Sequence, residues 1–193
     1  MPATRNRVRI TGGEWRSRLL AFPSAADLRP TPDRVRVTLF NWLGQDLTGK
    51  TCLDLFAGSG ALGFEAASRG ARRVVMVESA NVVFRALQDN AAALGAGAVE
   101  LRRADALEFL RSDDATYDVV FLDPPFRTDY LTRVLPALVP RLADGALIHV
   151  EAPRAPALPL QWEVWRSGRA GAVIHQLLKW TGHEAQSGIP RDV

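Results

Sequence analysis

Between Thr51 and Val150 strands and helices alternate without any repeat of sequence: short apolar, β-branched runs are each followed by a turn and a helical stretch. Thr51 to Leu55, Arg73 to Val77, Val99 to Arg102, Tyr117 to Leu122 and Ala146 to Val150 read as strands. Residues 58 to 69, 80 to 94, 106 to 111 and about 130 to 142 read as helices. Val83, Leu87, Asn90 and Leu94 make one stripe of the second helix. Strands this apolar are covered on both faces, and strand–helix alternation gives a parallel sheet. The end of the chain differs: Glu163 to Arg169 and Ala172 to Lys179 flank a tight Ala170-Gly171 connection, which predicts an antiparallel pair closing one edge. The expected fold is therefore α/β, a doubly wound and mostly parallel seven-stranded sheet.

A chain of 193 residues with 47% hydrophobic and 23% charged residues suits one soluble domain with an appendage. No apolar run reaches membrane-spanning length, and Met1 to Arg7 lacks an apolar signal core, so a cytoplasmic protein without membrane contact is expected. The single Cys52 lies in an apolar run and reads as a core residue; with three scattered His, no metal site is expected. Charge is uneven. Up to Val37 eight Arg face Glu14, Asp27 and Asp33, about +5 against a net charge of +3 for the whole chain. A basic front is suited to phosphates.

That front reads as a hairpin, Arg7 to Ile10 and Glu14 to Leu20 around Thr11-Gly12-Gly13, with Trp15 as packing anchor and Arg16 and Arg18 on the second strand. Phe22 to Pro32 reads as a linker. Asp33, or Thr31 before Pro32, can cap a helix running to about Leu43, with Val35, Leu39, Trp42 and Leu43 on one face. The expected division is 1–32 as basic hairpin and linker and 33–193 as the main domain, fraying from Gly182.

At the first strand-to-helix turn, Asp54-Leu55-Phe56-Ala57-Gly58-Ser59-Gly60-Ala61-Leu62-Gly63 contains a formal G-x-G-x-x-G. The glycines bring a ligand close to backbone at a helix N-terminus. A dinucleotide is one option, but Asp54 ahead of the glycines repels a pyrophosphate and attracts an ammonium such as that of S-adenosylmethionine. Glu78 ends the next strand, where it can accept ribose hydroxyls. Asp105 follows the third and can accept an adenine amino group. The candidate cofactor residues are thus Asp54, Phe56, Gly58, Gly60, Glu78 and Asp105.

Tyr117 to Leu122 leads into Asp123-Pro124-Pro125-Phe126. Two prolines fix φ and remove two donors, leaving a carboxylate, bare carbonyls and an aromatic ring as a stiff seat for the amino group of a planar base. Asp123, Pro124, Pro125 and Phe126 are the candidate catalytic residues, with Phe126 stacking on a base that has left its helix.

Together these stretches resemble the class I S-adenosylmethionine-dependent amino-methyltransferases. Arg9-Ile10-Thr11-Gly12-Gly13-Glu14-Trp15-Arg16-Ser17-Arg18, Leu28 to Arg36 and Leu39-Phe40-Asn41-Trp42-Leu43 narrow the resemblance to the bacterial RsmD family. It implies a Rossmann-like domain that methylates one guanine N2 in 16S rRNA, on assembled or assembling small subunits. Val37 stands where relatives often carry Glu, and Ala80 where many carry Asp. A monomer is expected, with Arg9, Trp15, Arg16, Arg18 and Arg34 as the RNA-facing residues. An Asp-Pro-Pro-aromatic seat also suits a DNA adenine-N6 or cytosine-N4 methyltransferase, and a non-catalytic assembly factor of the same fold stays open.

Overall fold

The computed structural model describes residues 5–24, 31–125, 130–156 and 158–182. Phe126, Leu28 to Pro30 and, of the segment expected to fray, all residues after Gly182 lie outside them. The main sheet uses the five predicted strands and the closing pair: β3 (Thr51–Asp54), β4 (Arg73–Val77), β5 (Val99–Arg102), β6 (Tyr117–Leu122), β7 (Leu142–Ala152), β8 (Trp162–Ala170) and β9 (Val173–Trp180). Its order is β5-β4-β3-β6-β7-β9-β8. Neighbours from β5 to β7 are parallel, and β9 is antiparallel to both β7 and β8. From β3 the chain winds outward through β4 and β5, then returns to lay β6 on the other side of β3. The direction thus reverses between β3 and β6, and open α/β sheets bind ligands in the crevice at such a reversal.

Helices α1 (Asp33–Leu43), α2 (Ala61–Ser68), α3 (Asn81–Leu94), α4 (Ala106–Ser112) and α5 (Tyr130–Leu138) cover the two faces. On one face Cys52, Val74, Met76, Val119, Phe121 and Leu177 pack with α1, α2 and the hairpin. On the other, Leu53, Val75, Val120, Ile148 and Leu178 pack with α4 and α5. The alternation of side chains along each strand separates these two cores. Asp54, Glu78, Asp123 and Glu151 continue the first set by two residues beyond Cys52, Met76, Phe121 and His149. All four share one face at the carboxyl edge. The predicted helix to Leu142 is shorter: α5 contains Pro136, ends at Leu138, and gives way to a 3-10 turn, Val139–Arg141.

The hairpin forms with a different register. β1 (Arg5–Arg9) pairs with β2 (Leu19–Pro23), Arg9 opposite Leu19. Glu14 to Arg18, expected as strand, form successive turns in which Gly13 O accepts from Arg16 N and Trp15 O from Arg18 N. Docking decides this. Ser68 O, at the end of α2, accepts from Glu14 N at 2.7 Å, and Ser68 Oγ accepts from Trp15 N at 2.8 Å. Gly13 has φ +78 and lies so close that a Cβ would collide with the Ser68 carbonyl. Trp15 is half-buried against the core, as an anchor should be.

α1 also departs from expectation. Neither Asp33 nor Thr31 caps it; the N-cap is Pro32, without a side-chain bond. Val35 and Leu39 are buried as predicted, Trp42 and Leu43 only partly, and the buried stripe includes Phe40 and a charged residue, Arg36, with no exposure at all. Arg36 Nη1 donates to Thr31 O at 2.6 Å, and Nη2 donates to Asp33 Oδ1 at 3.0 Å and to Arg9 O. Its Nε is 3.5 Å from Glu65, which α2 holds fully buried and which pairs with Arg69 at 2.8 Å. Glu65 also accepts from Thr11 N at 2.9 Å. This paired cluster fastens the hairpin to α1 and α2, and a buried charge persists when so paired.

Candidate active site

Each candidate carboxylate stands at or just past the carboxyl end of a strand. Asp54 closes β3, and its Oδ2 accepts from Gly63 N at 2.9 Å. Glu78 follows β4, accepting from Gly58 N at 3.1 Å and Ala80 N at 2.7 Å. The second bond satisfies the start of α3, whose N-cap Ala80 has no side chain to do so. Gly60 is the left-handed N-cap of α2 at φ +79, and a Cβ at Gly63 would press on the Met76 side chain, so one glycine shapes the turn and the other lets α2 lie close on β4.

These bonds discriminate between ligands. The amides of Gly58 and Gly63, which a pyrophosphate would need, are already given to Glu78 and Asp54. The crevice presents carboxylate oxygen instead of free N–H. Such a donor set fits a cation carrying hydroxyl and amino groups and does not fit a dinucleotide's phosphates.

Asp105 is brought to the same edge by β5. Its Oδ1 caps α4, accepting from Leu107 N at 2.9 Å and Glu108 N at 3.2 Å, while Oδ2 accepts from the Tyr130 hydroxyl at 3.2 Å. The Tyr130 ring meets Phe56 edge-on with centroids 5.5 Å apart. Phe56, Asp105 and Tyr130 thus form one wall. Tyr130 escaped the sequence reading because its partner lies 25 residues earlier.

Asp123 follows β6, two residues beyond Phe121, the register partner of Asp54, with Pro124 buried and Pro125 exposed. Its carboxyl is held well above the ordinary range, first by burial and then by repulsion from Glu151 and Asp54. Asp54 is pushed up to about 7, mainly by burial, with Glu78 and Glu151 adding to it and the Gly63 and Phe56 amides opposing it. Asp54 and Asp123 therefore favour the protonated form until cationic or N–H-bearing groups arrive.

Glu151 was also missed. It lies in β7, where it pairs with His175, and is the register neighbour of Asp123, since Leu122 pairs with Val150. It is 5% exposed, and its carboxylate accepts from Thr31 Oγ1 at 2.8 Å. Burial raises it, while the Thr31 hydroxyl and Arg36 pull it back. The signal was available: Ile148-His149-Val150 followed by Glu151 has the same strand-then-carboxylate form as Leu53-Asp54 and Leu122-Asp123.

The RNA-facing candidates are not part of this row. Arg9, Arg16, Arg18 and Arg34 are exposed at the N-terminal extension, and Arg18 Nη2 donates to Ala93 O at 3.0 Å.

Comparison with known proteins agrees with the geometry. A family model described as "Conserved hypothetical protein 95" matches residues 8–179. The ribosomal RNA small subunit methyltransferase D of Escherichia coli K12 is 43% identical over 96% of this chain and 95% of its own length. That of Haemophilus influenzae is 38% identical over 91% of this chain and 95% of its own. The solved structure of Escherichia coli yhhF superposes with a TM-score of 0.83 at 42% identity, covering 91% of this chain and 98% of that one. At a TM-score of 0.62 and 22% identity, an RNA methyltransferase from Salinibacter ruber shares the fold over 85% of this chain and 98% of its own. With the family model matched over residues 8–179 and close to half of all positions shared with a relative over nearly its whole length, the chain belongs to the RsmD family of small-subunit ribosomal RNA methyltransferases.

Proposed function

We propose that this chain methylates the exocyclic N2 of one guanine in 16S rRNA, within an assembled or assembling small subunit, and acts as a monomer. The observation that carries the reading is the carboxylate row across the reversal between β3 and β6, with Asp123 and Pro124 on one side and the Asp54 turn on the other. S-adenosylmethionine supplies a methyl group made electrophilic by its sulfonium. Asp54, Phe56, Gly58, Gly60, Glu78 and Asp105 would hold it, Asp54 taking its ammonium, Glu78 its ribose hydroxyls and Asp105 its adenine amino group.

An exocyclic amine is a weak nucleophile because its lone pair is delocalised into the ring. The Asp123 carboxylate and the Pro124 carbonyl accept its two N–H groups, which fixes the nitrogen and favours the tetrahedral geometry that frees the lone pair. The proton leaves after methyl transfer, so no strong base is required. The basic extension, 1–32, supplies contacts to phosphates through Arg9, Arg16 and Arg18, joined by Arg34 of α1, with Trp15 holding the extension in place.

The test is Asp123→Ala. With tritiated methyl donor and unmethylated small-subunit particles, turnover should fall by roughly 10³-fold, with cofactor affinity nearly intact by calorimetry. Undiminished turnover would remove Asp123 from the mechanism. A wild-type enzyme that methylates duplex DNA in preference to the particles would overturn the substrate.

A further inference from the structure

An acceptor corner such as Asp123-Pro124 grips any exocyclic amino group, whether of guanine, adenine or cytosine. What distinguishes guanine is the atom beside that amino group. Guanine carries an N–H at N1, whereas adenine at N1 and cytosine at N3 present a lone pair. A carboxylate next to the amino seat therefore binds the first and repels the other two.

The strand order places one there. Cofactor-side carboxylates lie on β5, β4 and β3, Asp123 on β6, and Glu151 on β7, away from the cofactor. Glu151 shares its face with Asp123 and is adjacent in register. Thr31 Oγ1, from the segment preceding α1, holds one of its oxygens, using one of about four acceptor positions on a carboxylate. Buried Arg36 is the cation that favours its ionised form, but the Arg36 Nη1 and Nη2 groups donate to Thr31, Arg9 and Asp33, and the two imidazoles nearby do not neutralise it: His149 Nε2 is 3.9 Å away, and burial pushes His149 down to about 3 and lowers His175. A second carboxylate against Asp123 costs stability through like-charge repulsion, and the cofactor has no use for it.

We propose that Glu151 makes the amino seat selective for guanine by accepting its N1–H, and that Thr31 is the positioning residue that aims it. This rests on the reading of the target as guanine N2, and it adds the residue that reads the base. The alternative is a tether, in which Glu151 serves only to hold the segment around Thr31. A tether affects stability and leaves base preference alone.

The test compares guanine with 2,6-diaminopurine, which keeps the 2-amino group but bears a lone pair at N1. Either base is ligated into 16S RNA at the position methylated by the wild-type protein, and the RNA is assembled into particles. Wild type should prefer guanine by roughly ten- to a hundred-fold in kcat/KM. In Glu151→Gln, whose amide can donate to the bare N1, the ratio should collapse toward one while cofactor affinity by calorimetry is not weakened. Thr31→Val should lower it part of the way. An unchanged ratio in a Glu151→Gln protein that binds cofactor normally overturns the proposal. So does a wild-type enzyme indifferent to the two bases, a result that needs no variant to fold. Absence of N2-methylguanosine from the wild-type digest overturns the functional reading instead, and this inference with it.

Discussion

Binding of the methyl donor should release a proton, and Asp54 sets the pH at which it does so. Its carboxyl is 2% exposed and is pushed from 3.8 to about 7, chiefly by burial and then by Glu78 and Glu151. Between those values the folded protein keeps a proton that the unfolded chain has lost. The stability contributed by this group is therefore complete below about pH 4 and disappears as pH rises through 7. Three units amount to roughly 4 kcal/mol, a cost the ligand-free protein bears at neutral pH. An ammonium placed against Asp54 compensates it, so the ligand prefers the ionised form. Below pH 7 affinity should fall by up to about tenfold per unit.

The α-ammonium of S-adenosylhomocysteine is that of a free amino acid and stays protonated across calorimetric titrations at about pH 6 and about pH 7.5, so the difference between them reports on the protein. The titration should give a dissociation constant about tenfold weaker at the lower pH. Repeating it in buffers of different ionisation enthalpy should show close to one proton released per ligand there. Asp123 and Glu151 titrate in the same crevice, so the assignment to Asp54 depends on Asp54→Asn. That variant keeps an oxygen for Gly63 N, should bind weakly at every pH, and should melt higher than wild type when ligand-free at neutral pH. At this chain length each kcal/mol is worth about 2–4 °C. A flat affinity between these pH values, or a ligand-free Asp54→Asn protein that melts lower, would refute the reasoning.

Gly13→Ala combines a forbidden φ with a collision against Ser68 O; it should cost more than about 2 kcal/mol in urea unfolding and increase protease cleavage within residues 10–18. Arg36→Met strips a fully buried partner from Glu65 and frees the carbonyls of Arg9 and Thr31. A loss of roughly 3–5 kcal/mol is expected, and a stability within experimental error of wild type would show the cluster to be incidental. Charge-removing changes at Arg9, Arg16 or Arg34 should each reduce the slope of log affinity against log salt for 16S RNA by somewhat under one; an unaltered slope would place the phosphate contacts elsewhere.

The parts of the molecule legible in the sequence are those whose cause is local. β4, β5 and β6 begin and end where periodicity places them because an apolar run between polar residues has one way to be buried in a covered sheet. Asp54, Glu78 and Asp123 were readable for the same reason: a carboxylate directly after such a run must emerge at the sheet's edge. What failed has a distant cause. The turns at Glu14 to Arg18 obey Ser68 rather than the hairpin's own alternation. Arg36 was passed over because a charge on a helix ordinarily faces water; only the assembled partners, Thr31, Arg9, Asp33 and Glu65, make burial tolerable. Glu151 shows the boundary between the two cases. Its position at the end of an apolar run is a local fact, but its standing beside Asp123 follows from the crossover that lays β7 against β6, and its link to Thr31 spans 120 residues. A single chain therefore reveals which groups reach the carboxyl edge of the sheet. Which of them face each other, and hence which base they can tell apart, is fixed only when the strands take their order.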